Sequence, residues 1–304
     1  MEIGFHLPGF TKNLGVNNVL IGAMEIHPEW FRKNFKIKSV FDTFPVSVWN
    51  GGRYMGGVVD ETRIKTTLKL FNDRGIALRF TFTNPLIREE HLYDRFCNRV
   101  MELANNGLNE VIVFSPLLEE YIRKNYPEYK ITSSTCKQIR SMDELNTELE
   151  KDYNLVVLDY NWNNKFDELK KIKHPEKCEV LVNACCTPNC PRRGEHYEAV
   201  GKAHIGYWDY MKNPIRGVAY RPEPFDCKYM NNTLFETKDY PTVISPDDVF
   251  GKYADMGFNQ FKIEGRSNPQ IPLLETYMYY FANPEYKDEA RMHILANLYP
   301  ERLL

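Results

Sequence analysis

Short apolar runs alternate with longer stretches of helical period along most of this chain, and that rhythm predicts repeated βα units around a parallel sheet. Strands are expected at 19–22, 45–49, 76–82, 110–114, 129–132, 154–158, 178–183 and 260–263. Helices are expected at 60–74, 87–105, 116–125 and near 165–172, with one more opened by Ser141, which has Glu144 three residues on as in a capping box. Polar residues finish successive runs: Asn84, Ser115, Ser133 or Ser134, Asp159, Asn183 and Glu264. Barrel enzymes collect catalytic groups at the carboxyl ends of their strands. A doubly wound sheet also binds ligands there, but no Gly-rich dinucleotide loop follows an early strand. Ser, Asp and Asn are also good caps and turn formers, so it is their recurrence that counts. The expectation is an α/β fold, a TIM-barrel-like (β/α)8.

The length of 304 residues suits one such barrel with extra loops, so 1–304 is read as a single domain. From about 194 to 246 the rhythm breaks, with Pro214, Pro222, Pro224 and Pro241 spread over an aromatic, polar stretch. Loops of that length are usually functional. We read it as a long insertion between the last two strands, an excursion over the C-terminal face of the barrel that returns Cys227 to the region after the seventh strand. No internal repeat and no low-complexity segment stands beside this pattern.

With 43% hydrophobic and 26% charged residues the chain can bury a substantial core. A formal charge of −2 gives no electrostatic footprint for a nucleic-acid backbone, so no DNA partner is expected. An RNA substrate would need a partner or a local basic patch to supply the grip. Met1-Glu2-Ile3-Gly4-Phe5-His6 has neither the basic nor the apolar part of a leader, and no apolar run is long enough to span a bilayer. A cytoplasmic protein without membrane contact is expected.

Seven cysteines in a cytosolic chain point away from a disulfide framework and toward metal binding or packing. Cys185-Cys186-Thr187-Pro188-Asn189-Cys190-Pro191-Arg192-Arg193 sits directly behind the apolar run 178–183. Pro188 and Asn189 can turn Cys186 and Cys190 toward one metal, with Cys227 as the distant partner. A zinc site usually pairs two short motifs, and an iron–sulfur cluster better tolerates one motif plus a remote cysteine. Adjacent side chains on extended backbone point apart, so Cys185 joins Cys186 only if the strand has already turned. Cys178 lies roughly 25 Å from Cys186 along a straight strand and is set aside. Cys185 takes the fourth position, and core packing is the competing reading for the whole set and the favoured one for Cys97 and Cys136.

Arg192 and Arg193 suit a carboxylate or phosphate on a substrate, or a solvated surface pair. His196 is a structural histidine, a ligand or a proton donor. Glu264-Gly265-Arg266 ends the last strand, where the carboxylate and guanidinium either act on substrate or tie the barrel shut. Candidate catalytic residues are therefore Glu264, Arg266, Asn183 and His196, and candidate substrate contacts are Arg192, Arg193, Ser134 and Asp159.

The tract from Val182 to Arg192, the pair His196-Tyr197, Val243-Ile244-Ser245-Pro246-Asp247-Asp248 and Phe261-Lys262-Ile263-Glu264-Gly265-Arg266 together resemble the collagenase-like peptidase family U32. Val19-Leu20-Ile21-Gly22-Ala23 and Ser133-Ser134-Thr135 look like the same family's early strand ends. The resemblance implies a barrel-like domain with an oxygen-sensitive 4Fe-4S cluster. It also implies relatives that serve hydroxylation of RNA bases or of a quinone precursor, some in paired complexes and some needing prephenate. The ligand positions carry over to Cys186, Cys190 and Cys227. The doubled Cys185-Cys186 departs from the usual single cysteine.

Three functions are weighed. The first is an iron–sulfur enzyme for redox modification or hydroxylation of an RNA base or small aromatic substrate, with zinc as the alternative metal. The second is a peptidase, although no Ser/His/Asp order and no His-Glu-x-x-His helix supports it independently. The third is a non-catalytic metal-containing subunit that completes a complex with a related partner, for which Tyr277-Met278-Tyr279-Tyr280-Phe281 offers a contact face.

Overall fold

A computed structural model describes residues 2–230 and 232–299. Eight strands form a closed barrel in sequence order: β1 Ile3–Pro8, β2 Phe35–Asp42, β3 Ala77–Phe82, β4 Glu110–Val113, β5 Lys130–Ser133, β6 Leu155–Val157, β7 Cys178–Leu181 and β8 Gln260–Lys262. The (β/α)8 expectation holds. Pairing is parallel, with Phe5 against Phe261 and Val180 against Phe261, and with Phe80, Val111 and Ile131 in register.

The chain divides into two compact units, one of Met1–Val40, Leu158–Pro188 and Tyr229–Leu304, the other of Phe41–Val157 and Asn189–Lys228. The first has an aromatic core around Phe5, Phe261, Tyr277 and Phe281, all fully buried. In the second, Trp49, Phe80 and Phe82 are buried together, Trp49 meeting Phe82 edge-on at 5.1 Å.

Six expected strands lie where the rhythm places them, and two do not. The run 19–22 belongs to the helix Leu14–Ile26, whose buried Val16, Asn17, Leu20, Ile21 and Ala23 follow helical spacing. A four-residue apolar run cannot separate strand from buried helix, and here the longer period decides. The run 45–49 is a buried loop in which Trp49 Nε1 donates to the His91 carbonyl at 2.7 Å. The true first strands are β1, buried along all six residues, and β2, whose partial alternation starts with exposed Lys36 beside buried Ile37.

The expected helix 87–105 is two, Glu89–Leu92 and Arg95–Ala104, restarted by Asp94, whose carboxylate accepts the Cys97 amide at 2.7 Å. The helix Pro116–Asn125 matches its expected bounds, with Pro116 in the first turn and Ser115 as cap. Ser141 accepts the Glu144 amide at 3.2 Å, so Ser141 caps the helix through one of the two bonds of the expected capping box.

The stretch 194–246 lies between β7 and β8, but it is not without regular structure, because a 20-residue helix, Arg193–Lys212, occupies its first part. Three glycines, Gly194, Gly201 and Gly206, and a buried His204 obscure its apolar stripe. Gly201 is there because a Cβ at that position would come within 2.5 Å of Asn84 Oδ1. No helix among the described residues is long and apolar enough to cross a membrane.

Candidate functional site: the carboxyl ends of the seventh and eighth strands

In the first unit, β7 and β8 run on past their last paired residues and are locked to each other by one side chain. Asn183 Nδ2 donates to the Glu264 carbonyl at 2.9 Å, and Asn183 Oδ1 accepts the Glu264 amide at 2.6 Å. Asn183 is fully buried, so both bonds stand in a low-dielectric setting that strengthens them. The Glu264 carboxylate turns back to β7, where its Oε2 accepts the Cys185 amide at 2.9 Å. Gly265 then takes φ +146, a conformation that favours glycine, and lets the chain turn sharply past Glu264. Arg266, two residues on, is buried.

Asn13 and Asn163, which the sequence did not single out, and Tyr280, read there as part of a contact face but fully buried, complete this wall. Asn13 Nδ2 donates to the Gly265 carbonyl at 3.1 Å, and Tyr280 Oη donates to the carbonyls of Val182 and Ile244 at 3.1 and 2.9 Å. Burial pushes the Tyr280 phenol well above its usual range, so it remains a donor. Asn163 Nδ2 reaches the carbonyls of Leu181 and Thr242 at 2.7 and 2.6 Å. Nothing in the local sequence marks these bonds, because each reaches backbone far away in the chain.

The strand-end ladder serves capping and turn formation as well as the site. Asp159 Oδ1 accepts the amide and the Nδ2 of Asn161 at 2.9 and 2.7 Å, which fixes the turn Tyr160–Trp162. Ser134 accepts the Cys136 amide at 3.1 Å, and Asn84 Nδ2 holds the Val48 carbonyl at 2.8 Å. Ser133 Oγ donates to Glu148 at 2.5 Å. Burial works against the Glu148 charge, but Lys137, Lys151 and Ser133 outweigh it and hold the carboxyl at about 2.

The cysteines separate by burial. Cys97, Cys136, Cys178 and Cys185 are buried, whereas Cys186, Cys190 and Cys227 are partly exposed. Cys185 donates its thiol to the Asn183 carbonyl at 3.3 Å, so it is tied into the β7 wall. Cys186 packs against Tyr160, Leu181 and Ala184. Burial pushes the Cys178 thiol up, and its hydrogen goes to the His174 carbonyl at 3.4 Å. Cys185 and Cys186 belong to the first unit, Cys190 and Cys227 to the second. Among the described residues no group of three or more His, Cys, Asp or Glu is placed to hold a metal ion.

In the second unit the return of the chain to Cys227 rests on Arg192. Its Nη1 donates to the Asp226 carbonyl at 2.9 Å, its Nε pairs with Glu195 at 3.1 Å, and its guanidinium lies 4.6 Å from the Phe225 ring centre. His196 stacks on the same ring at 5.0 Å. Buried Arg193 donates to Gln138 Oε1 at 3.2 Å. Arg192, Arg193 and His196 thus have structural partners within their own unit.

A closed parallel barrel whose last two strands end in a clamped Asn–Glu pair defines an α/β barrel with its polar site at carboxyl strand ends. Residues 50–187 match the sequence model of Peptidase family U32. Through that segment the chain is similar to peptidase family U32. It is 26% identical over 170 residues to an uncharacterized protease of Methanocaldococcus jannaschii, covering 55% of this chain and 48% of that protein. It is 24% identical over 277 residues to an uncharacterized lipoprotein of Mycoplasma capricolum, covering 89% of this chain and 38% of that protein. The chain therefore spans half or less of the length of these relatives. The solved structure of a U32 peptidase superposes with a TM-score of 0.50 at 13% identity, covering 86% of this chain and 92% of that one, which is a likeness of fold.

Proposed function

We propose that the chain is a barrel hydrolase of the peptidase type, acting on a peptide at the carboxyl ends of β7 and β8 with Glu264 as its acid–base group. The observation that carries the reading is the fixed carboxylate: Asn183 clamps the Glu264 backbone and the Cys185 amide holds one of its oxygens at 2.9 Å. A carboxylate held in one place at a strand end is what proton transfer needs. In hydrolysis Glu264 takes a proton from water as the water oxygen attacks the peptide carbonyl carbon. The C–N bond then breaks and the same carboxyl returns the proton to the leaving amine. Arg266 brings positive charge to the loop where the oxyanion develops.

Glu264→Gln keeps an oxygen for the Cys185 amide but removes the base. Peptide cleavage, followed by mass spectrometry on a mixed peptide substrate, is expected to fall on the order of a hundredfold with the melting temperature unchanged. Equal cleavage by both proteins would sink the proposal.

The thiols favour a second reading, an iron–sulfur enzyme modifying an RNA base or a small aromatic substrate, or a metal-containing subunit of a larger complex. Its support is that Cys186, Cys190 and Cys227, the carried-over ligand positions, are the three partly exposed cysteines, accessible to a metal as the buried four are not. Bound, a cluster would supply electron transfer. Protein prepared without oxygen is expected to retain iron and sulfide, and to lose both in Cys186→Ala and Cys190→Ala. Metal-free wild-type protein, or zinc alone, would remove the iron–sulfur reading.

A further inference from the structure

At the amino ends of β1 and β2 the first unit has a cavity of about 510 Å³, whose lining includes Arg32, Lys33, Asn34, Phe250, Asp255 and Asn283. That volume is in the range of small-molecule sites. The proposed chemistry at Glu264 makes no use of it, since Glu264 follows the carboxyl end of β8 whereas this cavity begins beside Ile3 and Asn34, before β1 and β2 gather way.

Arg32 is set in this wall with an unmet demand. Its backbone amide donates to the Phe281 carbonyl at 2.8 Å, and its guanidinium lies 5.6 Å from the Phe250 ring centre. Its Nε is buried and has no hydrogen-bond partner among the described residues. The carboxylate paired with it, Asp247, stands 3.6 Å from Nη1 with a side chain 91% exposed, a contact that water weakens. A buried N–H without an acceptor is unfavourable, and a guanidinium is the group best shaped to bind an oxyanion by two parallel bonds.

The neighbours supply the rest of the chemistry. Lys33 has no ion-pair partner among the described residues, and its ammonium adds a second positive charge beside Arg32, against Asp255 in the lining and the exposed Asp247 next to it. Asn283 is held rigid, its Nδ2 donating to the carbonyls of Glu29 and Phe31 at 2.7 and 2.9 Å. Phe250 and Ala254 give the cavity an apolar side. We propose that this cavity binds a small organic anion, whose phosphate or carboxylate accepts from Arg32 and pairs with Lys33 while its apolar body rests on Phe250. Because these residues link the entries to β1 and β2 with the segments before and after β8, occupancy stabilises the first unit.

Isothermal titration calorimetry at constant ionic strength tests this with inorganic phosphate, phenyl phosphate and benzoate. Saturable binding at one site is expected, tighter for phenyl phosphate than for inorganic phosphate, and the tighter of phenyl phosphate and benzoate identifies the head group. Arg32→Gln is expected to weaken it about tenfold, the loss of one charge-assisted contact. Lys33 is exposed, so Lys33→Gln leaves folding intact and is expected to weaken binding in the same direction. No saturable heat with any of the three probes, or equal affinity in wild type and both variants, would overturn the assignment. Neither outcome depends on peptide cleavage.

Discussion

Glu179→Ala is expected to destabilise the protein by about 3–5 kcal/mol, the cost of breaking a buried ion pair by removing one partner. The Glu179 side chain is fully buried in β7, with Lys262 Nζ of β8 at 3.1 Å from one oxygen and His6 Nε2 of β1 at 3.5 Å from the other. His6 is itself oriented by Ser39 Oγ at 2.7 Å from Nδ1 and by Gln260 Oε1 at 3.2 Å from Nε2. Alanine removes the carboxylate that both side chains face and leaves Lys262, 8% exposed, with its charge out of water. Urea unfolding followed by tryptophan fluorescence checks this, with the midpoint falling while the slope is kept. The double variant Glu179→Met/Lys262→Met removes both charges together. It is expected to cost far less than the sum of the single changes, because neither ion is then stranded. A loss below about 1 kcal/mol for Glu179→Ala would show that water reaches the pair, as it does for surface pairs.

Phe5→Ala is expected to cost about 3–5 kcal/mol through the cavity it leaves. Phe5 is fully buried and meets Phe281 at 4.8 Å and Phe35 at 5.6 Å, both edge-on, with Phe261 at 5.8 Å and Phe250 at 6.2 Å. Four rings on four different segments share this one neighbour, so the void cannot be closed by moving a single element. Phe5→Leu refills most of the space and is expected to cost less than about half as much. Thermal melting of the three proteins gives the order wild type, Phe5→Leu, Phe5→Ala, and a reversal of the last two would contradict the packing account.

Some of the site was readable from residue order and some was not. Glu264 and Asn183 were visible because each ends an apolar run with a polar residue, which is how strand ends announce themselves. The hydrogen bonds joining them cross 81 positions of sequence, and no local pattern carries that distance. Asn13 and Asn163 escaped for the same reason, as did the bonds that Tyr280 makes. His6 and Glu179 did leave a trace, each a single polar residue inside an apolar strand, while Lys262 ends a strand that also carries Gln260. That trace becomes an ion network only when the three strands are set side by side. The bland reading of Asp159 and Ser134 as turn formers is met by the amides they accept, and the role of Arg192 as a tie to the Cys227 segment depended on Phe225 and Asp226 folding back to it.

What the sequence determined by itself was the class of fold, because short apolar runs alternating with a period of 3.6 have few closed solutions that bury every apolar face. It also determined most strand positions and the interval between β7 and β8 where the chain departs from the repeat. Tertiary structure alone decided that 19–22 is helix and 45–49 a buried loop, since short apolar runs take their conformation from what covers them. It also decided which cysteines keep access to solvent. Burial is a property of neighbours brought from elsewhere in the chain, so Cys185 and Cys186, adjacent in sequence, part company: one thiol is tied to the Asn183 carbonyl and the other is left partly open.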